Sequence, residues 1–192
     1  MASSSRYVVV IWVIAGATLI FGIWARPLVG FATMSLAQAG AVFALFAIAV
    51  GLSAESLANQ LAPGRLHRIR PELVPVLVLT MLTAALAFTM PFERQPDFVA
   101  NAWKCLAAGL RIAIVSVLPL WLVIRRGGIL SASTTAATGG LLAGLAACAA
   151  VELRCSNIEA VHGIASHLGV AAICACLGGL AGSLVSRLRF RA

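Results

Sequence analysis

The sequence predicts an all-α, polytopic membrane protein, a bundle of six transmembrane helices with both termini on the cytoplasmic side. Three observations predict it. Of 192 residues, 61% are hydrophobic and only 10% charged, with a mean hydropathy of +1.02, against about 45–50% apolar and about 25% charged in a soluble domain. The apolar residues lie in long blocks rather than at amphipathic spacing, so lipid is the solvent that suits them. The net charge of +8 sits in short clusters between those blocks. That distribution sets topology; a nucleic-acid surface gathers its basic residues on one face instead.

About 20 apolar residues cross the roughly 30 Å hydrocarbon core, and six stretches reach that length: Tyr7–Ala25, Ser35–Ala58, Leu73–Pro91, Ala102–Ile124, Ser133–Val151 and His162–Ser186. Each must be a helix, because lipid offers nothing to an unpaired backbone N–H or C=O. The connectors Arg26–Met34, Asn59–Glu72, Phe92–Asn101, Arg125–Ala132 and Glu152–Val161 are too short for a soluble domain, so residues 1–192 read as one membrane unit. The first block is longer than a signal-peptide core, and Trp24-Ala25-Arg26-Pro27 is a poor cleavage site, so the first helix is expected to stay.

Nine basic residues (Arg6, Arg65, Arg68, Arg70, Arg125, Arg126, Arg187, Arg189 and Arg191) fall on one side, and four (Arg26, Arg94, Lys104 and Arg154) on the other. The excess marks the cytoplasmic side. Trp24, Trp103 and Trp121 fall at span ends, as interfacial aromatics do. Gly140 with Gly144, and Gly178 with Gly182, give small-xxx-small spacings in the last two helices. Such pairs let backbones approach closely, here expected within one chain rather than across a dimer.

Intramembrane charge is kept only for a reason. Arg111 stands near the middle of the fourth span and Glu55 near the cytoplasmic end of the second. The expectation for Arg111 is a bundle-facing guanidinium held by carbonyls or by hydroxyls such as Thr80 or Thr83, or a place on a pathway. Cys148, Cys174 and Cys176 lie inside spans as packing residues, with Cys174 and Cys176 about 200° apart on a helix. Cys105 and Cys155 lie near the outer face, where Glu152, Asn157, Glu159, His162 and His167 also gather. Three readings stay open for this stretch: a loop with satisfied polar groups, a redox-responsive thiol pair Cys105/Cys155, or a metal site at Cys155, His162 and His167. On an α-helix the two histidines, five apart, point about 140° from each other, so a shared ion requires a break near Gly163.

No Ser/His/Asp spacing, acidic metal motif, phosphate loop or dinucleotide fingerprint is present, so the chain is not expected to be an enzyme. No resident cofactor is expected either, beyond a transient metal ion at the Cys/His stretch. The order of pieces is the more informative feature. A second span ending Leu-Ala-Pro63-Gly64-Arg65 is followed by a fourth opening Trp103-Lys104-Cys105-Leu106. A glycine-rich fifth then leads to Leu153-Arg154-Cys155, Asn157, His162 and His167. This order resembles the NrsF family, bacterial inner-membrane anti-sigma factors that restrain extracytoplasmic-function sigma factors.

The resemblance implies a multi-pass protein of the bacterial inner membrane that senses periplasmic metal or oxidative stress through Cys105 and Cys155. Its partners would be membrane lipid and a sigma factor, with no direct contact to nucleic acid. Family members bind the sigma factor through a cytoplasmic N-terminal segment, whereas Met1-Ala-Ser-Ser-Ser-Arg6 is all that precedes the first span here. The expectation is therefore contact through the basic residues Arg65, Arg68, Arg70, Arg187, Arg189 and Arg191, a segment lent by a partner, or an earlier start. The alternative function is a small transporter or channel subunit with a polar path at Arg111 and Glu55. A membrane scaffold whose basic loops touch anionic lipid is a third reading.

Overall fold

The computed structural model describes residues 4–24, 28–62, 70–92, 97–127 and 131–189, and no strand occurs among them. Helix α1 is Ser4–Trp24, α2 Val29–Thr33, α3 Leu36–Leu61, α4 Val74–Thr89, α5 Phe98–Ile124, α6 Ala132–Arg154 and α7 Ala160–His162, and α8 is Gly169–Arg189. A 3₁₀ turn, Pro71–Leu73, leads into α4, and a π-helical turn, Gly163–Leu168, joins α7 to α8. Six helical stretches are long and apolar enough to cross a membrane, so the fold is the predicted all-α, multi-pass bundle.

The spans agree with the sequence reading to within a few residues, and the differences that bear on the functional residues fall at one end. The first connector contains the unpredicted α2. Helix α5 opens at Phe98 rather than Ala102, which carries Cys105 into its second turn, and α6 runs on to Arg154, so Glu152 is helical rather than looped. Local chemistry fixes other boundaries. The Ser35 hydroxyl accepts from the Gln38 N–H (3.2 Å), and the Gln38 carboxamide accepts from the Ser35 N–H (3.1 Å), a reciprocal cap that starts α3. The same Gln38 donates to the Thr89 carbonyl at 3.2 Å, tying the start of α3 to the end of α4.

Helix α6 is the centre of the bundle. It packs on α8 most extensively and also on α1, α3 and α5. Some 78% of its most apolar stretch is buried, against 22–33% in the other spans, although it is the least apolar of the six. That inversion follows from the solvent. Five helices must show large apolar groups to lipid, and Trp24, Phe88 and Leu36 are indeed left almost fully exposed by the bundle. The helix they enclose needs small side chains instead, because with no hydrophobic force between helices their association rests on close packing.

The glycine pairs supply that closeness within one chain, as expected. A Cβ on Gly140 would strike the Cys174 carbonyl and one on Gly144 the Ala171 backbone. On α8, a Cβ on Gly178 would strike the Ala136 carbonyl and one on Gly182 the Ala132 carbonyl. Each motif therefore meets the backbone of the other helix, and the two lie one after the other along the antiparallel pair. Buried polar contacts sit between other helices. The Thr18 and Ser116 hydroxyls lie 2.6 Å apart between α1 and α5. Gln60 of α3 donates to Thr138 (3.2 Å) and accepts from Thr135 (3.1 Å) of α6.

Replacing Gly140 or Gly178 by leucine puts side-chain carbons where backbone now stands and is expected to cost at least about 1–3 kcal/mol. The melting temperature of the detergent-solubilised protein checks this. Gly40→Ala, where a Cβ meets nothing within 4 Å, should leave it unchanged. Equal behaviour of the three variants would refute the packing role of the glycine faces.

Candidate functional site

The end of the bundle where α6 stops and the last span begins gathers two of the five cysteines and two histidines. Cys105 comes from the second turn of α5. Cys155 directly follows α6 in extended conformation (φ −79°, ψ 121°), its N–H closing the helix onto the Val151 carbonyl at 2.8 Å. His162 ends α7, and His167 lies in the π-helical turn. One ligand atom from each of the four residues lies within 4.8 Å of all the others.

The π-helical turn is what unites the histidines. On an α-helix they diverge, as the sequence spacing predicts. The structure supplies the required break, beginning at Gly163, where the chain winds with i→i+5 geometry through Leu168. One such turn places residues five apart above one another. The two rings accordingly lie 5.1 Å apart at 88°, edge to face, and Phe98 of α5 packs edge-on against His162 at 6.3 Å.

The thiols touch without being bonded. Cys105 Sγ and Cys155 Sγ are 3.4 Å apart, and Cys155 Sγ is 3.3 Å from His162 Nε2. Both sulfurs are half-buried over a small apolar floor that includes Ile112, Val151 and Val170. The imidazoles are fully buried. His167 donates its Nδ1–H to the Glu152 carboxylate, itself buried, in a very short contact. In the neutral ring that bond leaves the lone pair on His167 Nε2, and this atom has no hydrogen-bond partner among the described residues. His162 Nδ1 likewise has no such partner.

Backbone packs against the cluster from behind. A Cβ on Gly30 of α2 would strike the carbonyls of Glu152 and Cys155, so only glycine lets α2 lie across the end of α6. Arg154 donates to the Gly22 carbonyl at 2.6 Å, fastening that same end to α1. The Asn157 side chain accepts from the Glu159 N–H at 3.0 Å, and the Ala160 N–H reaches the Pro91 carbonyl at 2.8 Å. These bonds hold the connector between Cys155 and His162 against α4. The Cys155 thiol is raised above its ordinary pKa, first by its hydrogen bond to Cys105 and then by burial, with His162 and His167 opposing.

The sequence reading is met in part. It places Cys105 and Cys155 in one group and Cys155, His162 and His167 in another, and the structure merges the two. Glu152 is counted there among the neighbouring polar residues without its bond to His167. That partnership has no signature in the spacing, because it crosses from one helix to the next. Cys148 is buried, Cys174 half-buried and Cys176 exposed, so the last two do point apart.

The bundle-facing expectation for Arg111 is corrected, and so is the interior polar path at Arg111 and Glu55. Both side chains are exposed on the outside of the bundle rather than lining its interior. The helical register explains this: Ile112, Ala113 and Ser116 take the inward face of α5, which turns Arg111 outward. Of the basic residues, Arg70 and Arg187 are exposed, Arg189 lies in α8 with its side chain outside the description, and Arg65, Arg68 and Arg191 lie outside the described residues.

In metal-free, reduced protein, alkylation of Cys155 followed by mass spectrometry should therefore show its pH inflection above that of an ordinary thiol. Cys105→Ala removes the first cause of the shift, so the inflection should move to lower pH; an unchanged inflection would rule out the contact between the two thiols. Compared with models of known families, with curated proteins and with solved structures, the chain matches none.

Proposed function

We propose that this chain is a regulatory membrane protein of the anti-sigma type that reads oxidant or metal stress at Cys105 and Cys155 on the periplasmic side of the bacterial inner membrane. The observation that supports it is the 3.4 Å contact between two thiols brought from separate helices to one end of the bundle. A pair held that close closes to a disulfide by about 1.4 Å of movement, since the bond length is about 2.05 Å. It lies at the end that the positive-inside count assigns to the periplasm, where thiol oxidation is sustained. The basic end then faces the cytoplasm, where a sigma factor would bind. Arg125 stacks over Trp121 there at 4.8 Å, an interfacial pairing that anchors this end.

The test is transcription in the native host. Deleting the gene should raise transcription of its target genes without stress. Cys105→Ser and Cys155→Ser should each abolish induction by peroxide or cadmium while leaving repression intact. Normal induction in both single variants would refute the reading. A pull-down of a sigma factor on the intact, detergent-solubilised protein checks the partner separately.

A further inference from the structure

Four donors converge at one point, and their chemistry specifies a ligand. We propose that Cys105, Cys155, His162 and His167 bind one divalent d¹⁰ metal ion, zinc being the reference case, in a tetrahedral site that excludes a disulfide between the two cysteines. The proposal stands on geometry alone for the metal and rests on the preceding reading only for its regulatory meaning.

The distances suit the ion. With zinc–sulfur bonds of about 2.3 Å and zinc–nitrogen bonds of about 2.0–2.1 Å, a tetrahedron has sulfur–sulfur edges of about 3.8 Å and sulfur–nitrogen edges of about 3.6 Å. Cys105 Sγ–Cys155 Sγ stands at 3.4 Å and Cys155 Sγ–His162 Nε2 at 3.3 Å, so the ion spreads these two edges by a few tenths of an ångström, and it draws in the wider edges of a group whose atoms all lie within 4.8 Å. Rotation of Cys105 on its half-exposed helix turn can supply that.

The second observation is the fully buried His167. Its Nδ1 bond to Glu152 aims an unpartnered Nε2 at the cluster. A carboxylate behind a histidine in this way fixes a metal-binding ring and raises its basicity. A buried ring nitrogen with no hydrogen-bond partner is otherwise a cost with no return.

Charge selects the class of ion. Two thiolates cancel a divalent charge and two neutral imidazoles add none, so the four ligands and the ion are neutral together and the Glu152 carboxylate behind His167 is the one remaining charge among these groups. A univalent ion would add a second, uncompensated negative charge to that of Glu152. Sulfur and imidazole together favour a borderline or soft metal over magnesium or calcium.

Occupancy and oxidation then compete for the same electrons. When a peroxide oxidises the loaded site, the two thiolates give up two electrons and form the S–S bond, and the O–O bond breaks. Two protons from solvent complete two waters, and the metal leaves as the unchanged divalent ion. The disulfide has no thiolate left to bind it again.

Reduced, chelator-stripped full-length protein in detergent should take up one equivalent of Co²⁺. The product should show the strong visible bands of a tetrahedral ion and the near-ultraviolet charge transfer of cobalt–thiolate bonds, and Zn²⁺ should displace it. Cys105→Ser and Cys155→Ser should each lose about half of the charge-transfer intensity, and His167→Ala should weaken binding at least tenfold. Glu152→Gln should weaken binding by about 10–100-fold with the bands unmoved, a positioning effect. Protein treated first with peroxide should bind none, and Zn²⁺ should protect both cysteines from alkylation. Cys148→Ser, melting like the parent, controls for general thiol binding. Weak octahedral binding, or binding that survives both cysteine substitutions, would overturn the proposal. Metal binding without transcriptional response would overturn the regulatory reading alone.

Discussion

The close approach of α6 and α8 is the constraint on which the rest depends. Lipid supplies no hydrophobic drive between helices, so the pair is held by surface fit, and glycine at four facing positions brings backbone against backbone. Antiparallel helices in such contact must place the end of one beside the start of the other. Glu152 and Cys155 leave α6 where His162 and His167 enter the last span. Packing in the middle of the membrane thus fixes the position of donors at its edge, and α5 adds Cys105 from a third direction.

Much of this was legible in the sequence. Block length gave six spans because the bilayer imposes one length on every crossing, and glycine spacing gave the closeness of the last two helices because little else permits it. The thiol pair and the histidines were also visible as a concentration of donors near one face. What stayed hidden depends on contacts between segments. The bond from Glu152 to His167 joins two helices through their packing. The outward turn of Arg111 is a matter of register: charge and depth place it in the span but carry no information about which face of α5 the neighbours claim. The half-dozen apolar residues around it are too uniform to reveal that face.

The histidines show how a spacing argument becomes useful by failing. Five residues on an α-helix separate two rings, and the sequence supports a shared ion only if the helix is broken. The chain breaks it with a π-helical turn, a winding that costs helix geometry and is found most often at functional sites. Ser166 helps to hold it by donating its hydroxyl to the His162 carbonyl at 2.6 Å. The glycines at 163 and 169 bracket the segment, and neither presents a side chain to crowd it.

The same turn has a consequence for coupling. A ligand shifts an equilibrium only by the difference in its affinity for the two states. Rewinding Gly163–Leu168 as ordinary α-helix would separate the rings, so an ion held by both favours the π-wound form by most of what the second imidazole contributes. Joining Cys105 to Cys155 removes that preference, because no ion remains to reward it. An adjustment of the turn would pass to the start of α8, since Cys155 is fastened through α6 and Arg154 to α1 while α8 follows the turn directly. Helix α8 runs from that turn along the glycine face to the exposed Arg187 near its other end. Under the proposed exchange of metal for disulfide, the helix that follows the π-wound turn would be the mechanical route to the other end of the bundle.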